Sequence, residues 1–469
     1  MDDLPMRRLR LLTVALCAGY FLVLLDVTVV NVALPSIGEE LTPSGHGLAW
    51  VVDAYTVPLA ALLLAAGGLG DRLGHRRIVI VGFVAFAVAS AGCSLAGSLV
   101  SLAIWRALQG MAAAVMLPGT LALIANLYPE ASDRARAIGT WAAIGALALP
   151  AGPLLGGALV EAIGWRSIFW INVPVVLLAL IPIVTFAPSG AARDARGAVD
   201  LVGAGLAVVA TGSGAMALIE ARQTVPLAVV ALGVALCFGA VFVWYERRTS
   251  DPLIPLADLR RRDVASSLIG AGTMNFCTVG ALFLLTQLFQ SELGMDPLRA
   301  GLALLPAFLP LPLLGRPAGR LAATWGHWPT AASGLTIAAA GFAVMASVSS
   351  PAGVIGSIGL GLWGVGLGVL APAIVGATIA SLPGRSGLAS GLNNTARQVG
   401  GAFGVALFAA LAGPATGAGF GNAVRLVLIG CAAFYAAAAL LCVSTGRTLR
   451  RRRSADHKRS WDLDLGRTR

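Results

Sequence analysis

Apolar residues run along this chain in long unbroken stretches, separated by short segments where arginine, glycine and proline gather. Crossing roughly 30 Å of hydrocarbon takes about 20 apolar residues in a helix. Fourteen stretches reach that length, at about 12–35, 47–69, 78–98, 100–127, 136–160, 167–187, 199–219, 225–245, 265–290, 299–322, 330–349, 353–381, 389–413 and 423–445. The split near Leu99 rests on a small-residue turn rather than on charge. The first stretch follows Arg7-Arg8-Leu9-Arg10 as a signal peptide would, yet it has no small-residue cleavage site and reads as a retained span. The pattern predicts an all-α membrane protein with fourteen spans.

The pattern also repeats. Gly67, Leu69, Gly74 and His75 recur 252 residues later as Gly319, Leu321, Gly326 and His327. Ala137, Gly139 and Gly152 recur at the same spacing as Ala389, Gly391 and Gly404, and Gly110, Pro118 and Pro129 recur two residues further on as Gly364, Pro372 and Pro383. That spacing equals six spans plus two extra ones, so the plan is six, two, six. The expected divisions are a six-helix bundle over 1–188, two extra spans with flanking linkers over 189–263, a second six-helix bundle over 264–446 and a basic tail over 447–469.

Composition removes the soluble alternatives. Hydrophobic residues are 57% of the chain and charged residues 12%, against about 25% charged in soluble domains. A soluble protein of this length has a charged surface to build, so the apolar exterior must be covered by the lipid bilayer. The 58 glycines suit helices that approach closely in a membrane. All six cysteines (Cys17, Cys93, Cys237, Cys277, Cys431 and Cys442) fall inside apolar stretches with no metal-ligand spacing.

The net charge of +11 does not mark a nucleic-acid partner, because the arginines sit in short loops and the tail rather than in a groove-binding cluster. Connections from odd to even spans hold only Arg166, Arg222 and Arg299, while the other connections hold Arg72, Arg76, Arg77, Arg247, Arg248 and Arg260 to Arg262. That asymmetry places both termini in the cytoplasm of a cell-membrane protein and requires an even span count. The Arg447–Arg453 run is expected to anchor on anionic lipid.

Candidate chemistry is sparse. Asp26 lies in the first span, nine residues before Pro35 and so roughly 13 Å in from the outer end. A carboxylate at membrane depth costs at least a few kcal/mol unless paired, protonated or wetted. Arg106 and Asp53 lie about six residues inside the fourth and second spans, so all three can share one polar pocket. Two readings stay open: a structural ion pair, or a carboxylate that loads and releases a proton as a positive charge approaches and leaves. Gly152 and Gly156 form a close-packing face beside Pro153, which is either an ordinary helix seam or one on which half-bundles rock. Asn31, Tyr55, Gln109, Asn275, Gln287, Trp363, Asn393, Asn394, Arg397 and Gln398 are polar or aromatic residues inside spans, fit either to bond neighbouring helices or to line a substrate cavity. No P-loop, metal-ligand cluster or nucleophile constellation occurs, which argues against an enzyme and against ATP hydrolysis as the energy source.

Four ordered motifs resemble those of the major facilitator superfamily, and specifically its fourteen-helix drug:proton antiporters. Gly67-Gly-Leu-Gly-Asp-Arg-Leu-Gly-His-Arg-Arg77 resembles G-x-L-a-D-R-x-G-R-R, which implies that Gly67, Asp71, Arg72, Gly74 and Arg76 form a cytoplasmic latch favouring the outward-open state. His75 departs from the usual Arg or Lys, and the second copy has Ala323 and Thr324 where the first has Asp71 and Arg72, so an ionic latch exists only once. Arg106-Ala-Leu-Gln-Gly110 resembles R-x-x-Q-G, whose arginine is tied to proton movement. Gly152, Pro153, Gly156 and Gly157 match the antiporter motif G-P-x-x-G-G, with Ala148 where that motif begins in glycine, and Leu25–Ile37 resembles the first-helix motif. The resemblance implies a major facilitator fold of two six-helix bundles plus two extra central helices. It also implies proton-coupled export of drugs, antibiotics or related small amphipathic compounds by a monomer, without cofactor or metal. Uptake of a small nutrient with protons on the same fold is the open alternative.

Overall fold

The computed structural model describes residues 6–41, 47–128, 130–188, 200–221, 224–250, 252–348, 351–383, 385–415, 417 and 419–467, with the side chains at 64, 67, 68, 71, 72, 131, 132, 135, 386, 387 and 450–467 outside that description. Regular structure among these residues is helical. Hydrocarbon offers the backbone no partner, so each apolar run closes its own hydrogen bonds as a helix.

The spans are α1 (Met6–Leu41), α2 (Leu48–Leu73), α3 (His75–Ser94), α4 (Leu99–Leu127), α5 (Ala131–Ile163), α6 (Ser167–Phe186), α7 (Leu201–Glu220), α8 (Val225–Glu246), α9 (Arg262–Glu292), α10 (Pro297–Trp325), α11 (His327–Ser347), α12 (Val354–Ser381), α13 (Ser386–Ala412) and α14 (Phe420–Arg467). Thirteen are long and apolar enough by themselves to cross a membrane, and α2 carries the apolar stretch Leu48–Leu63 within its 26 residues. Three spans are irregular. A break at Ile171 divides α6, a π-helical turn over Leu288–Glu292 ends α9, and Leu309 interrupts α10 ahead of Pro310. α14 runs through the expected tail to Arg467.

The sequence repeat is also a packing repeat. In the first half α1 packs on α5, and α4 on both α2 and α3. In the second half α9 packs on α13, and α12 on both α10 and α11. Gly74 and Gly326, both at positive φ (89° and 95°), end α2 and α10 at matching turns. A side chain at Gly110 would strike the Tyr55 carbonyl, and one at Gly364 would strike that of Ala307, 252 residues beyond Tyr55. These positions need glycine because two helix backbones touch there.

The halves meet along two equivalent seams, α5 on α10 and α2 on α13. The extra pair covers the second seam from outside. Gly212 of α7 faces Val57 of α2, Gly214 of α7 lies against the Phe403 ring of α13, and α8 packs on α7. Val229, Val230, Leu232 and Leu236 of α8 are exposed apolar side chains, a surface suited to lipid. At the base of the pair, Asp200 caps α7 through the Gly203 N–H (2.6 Å) and Glu246 accepts from the Ile254 N–H (3.0 Å). The remaining carboxyl oxygens of both converge on Gly203.

Candidate functional site

Two polar regions occupy this apolar interior. The first is an ion pair inside the first six helices. Asp26 of α1 and Arg106 of α4 form a salt bridge, 0% and 1% exposed. Arg106 also gives its Nε to the Val51 carbonyl (2.8 Å) and its Nη1 to Gln109 Oε1 (2.7 Å). Gln109, one turn along the same face of α4, gives its amide to Asp26 Oδ1 (3.0 Å) and Ser90 Oγ (2.9 Å), and Asn172 of α6 donates to the same Ser90 (3.3 Å). The guanidinium lies 4.3 Å from the Tyr55 ring and 5.7 Å from the Phe169 ring. Ion pairs are buried at a desolvation cost, offset only when further hydrogen bonds complete both partners. Here Val51 of α2 and Gln109 of α4 supply them, and Ser90 of α3 and Asn172 of α6 extend the network behind Gln109. If Asp26 took up a proton, Arg106 would keep neutral partners in Val51, Gln109 and the Tyr55 ring, which offset part of the cost of leaving its charge buried without a carboxylate.

The second region is a cavity of about 780 Å³ between the halves. Its wall comes chiefly from α1, α4 and α5 on one side and from α9, α10, α12 and α13 on the other. The lining runs down to His75 at the start of α3, Leu253 in the linker and Leu388 at the start of α13, so the cavity opens on the face that carries the termini. The opposite end is closed. A side chain at Gly157 would sit 2.6 Å from Leu298 Cα, and one at Gly301 would overlap the Pro153 carbonyl. Gln290 of α9 donates to the Val32 carbonyl of α1 (2.8 Å) across the same closure. Nearby, Glu40 pairs with Arg166 (2.8 Å) and accepts from Trp165 Nε1 (2.7 Å); the hydrogen bond that Arg166 donates to Glu40 raises the guanidinium pKa above its ordinary value.

Helices that pack as two equivalent six-membered sets around a cavity open at one end and sealed at the other match a known transporter architecture. The family model for the Major Facilitator Superfamily matches residues 16–405. This chain belongs to the major facilitator superfamily. Among its relatives, multidrug resistance protein Stp of Mycobacterium tuberculosis is 34% identical over 407 residues, covering 86% of this chain and 76% of that one. The methylenomycin A resistance protein of Streptomyces coelicolor is 31% identical over 424 residues, covering 89% of each. The crystal structure of a peptide transporter, POT, in complex with sulfate superposes with a TM-score of 0.70 at 15% identity, covering 95% of both chains, a likeness of fold.

The remaining predicted residues of this major facilitator protein distribute as follows. Asn275 and Asn394 line the cavity, as do Arg397 and Gln398. Tyr55 and Gln109 belong to the ion-pair cluster instead, while Trp363 is buried among Phe308 and Phe342. Asn31 and Gln287 each bond a carbonyl of their own helix, Val27 (2.6 Å) and Phe283 (3.2 Å), and Asn393 bonds Thr378 (3.0 Å). Asp53 is fully buried with neither oxygen hydrogen-bonded among the described residues, since Thr56 gives its hydroxyl to Val52. It does not join the Arg106 cluster. Val57, one turn along from it, faces α7, so Asp53 is on the side of α2 toward the extra pair. Gly152 and Gly156 abut Thr28 and Val29 of α1, and Gly157 crosses to the other half. Of the latch residues, Arg76 donates to the Val184 carbonyl (2.6 Å) and Gly74 makes the turn, while Gly67, Asp71 and Arg72 lie outside the described side chains. Sequence reasoning missed Ser90, Asn172, Asp200 and Glu246. Asn172 was detectable as a lone amide in an apolar span, and Asp200 and Glu246 as carboxylates bracketing an apolar pair.

Proposed function

We propose that this chain exports small amphipathic compounds, antibiotics among them, in exchange for protons by alternating access. The carrying observation is the buried Asp26–Arg106 pair on α1, the helix that also lends Tyr20, Leu24, Val27 and Thr28 to the cavity wall. A proton arriving at Asp26 removes the carboxylate that Arg106 holds. The loosened α1 then shifts against α5, along the contacts of Gly152 and Gly156, and the shift reaches the cavity through Val27 and Thr28. Residues 1–188 and 264–446 rock as two bodies about the α5–α10 and α2–α13 seams, with the pair within 189–263 riding on the second. Asp53 is a further proton-accepting carboxyl. The turn with Gly67, Asp71, Arg72, Gly74 and Arg76 acts as the latch of the outward-open state. Both termini face the cytoplasm from the cell membrane, and a monomer is the working unit. The names of the relatives, a multidrug resistance protein and an antibiotic resistance protein, support the direction and the substrate class.

Expression in a pump-deficient bacterium tests this. The wild-type chain should lower accumulation of at least one drug in a panel, an uncoupler should abolish the effect, and Asp26→Asn should lose it at equal membrane levels while Asp26→Glu retains part. Undiminished gradient-dependent efflux in Asp26→Asn would take Asp26 out of the mechanism. Accumulation driven inward with protons would instead establish uptake.

A further inference from the structure

The cavity wall is apolar over most of its area, with polar groups concentrated on α9 and α13. One of them is a guanidinium. Arg397 of α13 gives its Nε to Asn275 Oδ1 of α9 (3.3 Å), and its two Nη groups have no hydrogen-bond partner among the described residues. Among the described residues, no Asp or Glu lines the cavity and no carboxylate forms a salt bridge with Arg397. The contrast with Arg106 is sharp, since that arginine is paired, multiply hydrogen-bonded and closed off from the cavity. The N-terminal half contributes an aromatic platform to the same wall, Tyr20 stacked on Trp141 with ring centres 3.9 Å apart and planes at 11°.

We propose that the cavity selects compounds bearing an acidic group on a flat unsaturated body, with Arg397 as the anion-binding residue and the Tyr20–Trp141 stack as the surface for the apolar body. This deepens the transport reading above and rests on it. An unneutralised cation at membrane depth is costly, and a ligand anion relieves that cost, whereas a cationic ligand would add to it. The free edge of a guanidinium offers two parallel N–H donors that match a carboxylate or similar oxyanion. Asn275, by holding Nε, aims that edge; Asn394 and Gln398 offer neutral hydrogen bonds beside it. A volume near 780 Å³ accommodates a drug-sized molecule. Cation recognition would call for a carboxylate in the wall, and the described wall has none.

Binding of two dyes on the same ring skeleton tests the proposal: fluorescein, an anion, and rhodamine 123, a cation. Fluorescence anisotropy on the full-length protein in detergent needs no gradient and no direction of transport. It therefore separates failure of this proposal from failure of proton-coupled export. Fluorescein should bind at least about tenfold more tightly than rhodamine 123. Arg397→Gln should weaken fluorescein by about tenfold or more, the scale of one lost charged hydrogen-bonding partner, and leave rhodamine 123 unchanged or improved. Arg397→Lys should keep most of the fluorescein affinity. If Arg397→Gln does not fold, competition on the wild-type protein gives the same discrimination, with benzoate displacing fluorescein and benzyltrimethylammonium failing to. Preference for rhodamine 123, no binding of either dye by the wild type, or fluorescein affinity untouched in a folded Arg397→Gln protein would each overturn the proposal.

Discussion

The two halves share a scaffold and differ in what they bury at its centre. Along the repeat, Arg106 and Gln109 fall on Leu360 and Trp363, and Asp26 falls on Thr278. Where the first half holds a charge cluster, the second holds a cluster of packed rings. Trp363 lies 5.0 Å from Phe342 and 6.0 Å from Phe308, Phe342 stacks on Tyr435 at 5.5 Å, and the Tyr435 hydroxyl meets Thr278 (3.3 Å) and the Met274 carbonyl (3.1 Å). The reverse holds one seam away. Arg397, turned to the cavity, corresponds to Gly145, where a side chain would overlap the Tyr20 ring. Backbone close approaches such as Gly110 on Tyr55 and Gly364 on Ala307 set the scaffold, so either filling is accommodated. Charge is sealed inside one half and offered to the cavity by the other, so the proposed proton site and the proposed ligand site lie apart.

The largest expected effect comes from unbalancing the sealed charge. Asp26→Asn should cost about 3–5 kcal/mol of stability, because Arg106 is left buried and a guanidinium cannot shed its proton. Arg106→Met should cost less, since a lone carboxyl can neutralise itself by taking one up. The double variant Asp26→Leu with Arg106→Met should recover most of the loss. Trp363→Ala at the equivalent site should also cost about 3–5 kcal/mol, as a cavity that no partner change repairs. Denaturant unfolding of the purified protein in detergent measures all four. A double variant as unstable as Asp26→Asn would mean that the cluster is packing, like its aromatic counterpart, and not balanced charge.

The spans were legible in the sequence because a helix in hydrocarbon must satisfy its own backbone and match a fixed thickness. Both conditions are local, and the predicted runs lie within about six residues of α1 to α13, whereas α14 continues past its predicted end to Arg467. The equivalence of the halves was legible for a related reason: Gly74 and Gly326 mark one turn made twice. Helix rotation was not legible. Asn31 and Gln287 look like cavity residues in a linear reading, yet each turns its amide onto a carbonyl four residues back, a choice open to any such side chain in an apolar span. Asp26 and Asp53 look alike in sequence as well. Only packing sends one to Arg106 and the other to the α7 side of α2.

A middle-sized effect belongs to the seam where the halves touch. Gly157→Leu should wedge α5 away from Leu298 at the sealed end, at a cost of about 1–3 kcal/mol to that closed arrangement. The population open on the terminal face should fall about tenfold or more. In a cysteine-free background, the labelling rate of Ser390→Cys in the cavity wall by an impermeant thiol reagent reads this from the terminal side. An unchanged rate would show that α5 and α10 yield without changing state, and that the halves are not the rigid bodies the comparison makes of them.

The smallest expected effect isolates burial as the cause. Glu40 and Arg166 form an ion pair in the same half, but at its surface, 49% and 38% exposed. Water already solvates both charges, and ordering the two side chains offsets much of the attraction. Glu40→Gln should therefore cost less than about 1 kcal/mol, and that small cost should shrink further in high salt. The same unfolding measurement used for Asp26→Asn decides it. A Glu40→Gln loss approaching that of Asp26→Asn would mean that pairing alone, without sealing from water, accounts for the difference between the halves. The contrast between charged and aromatic centres would then carry no special weight.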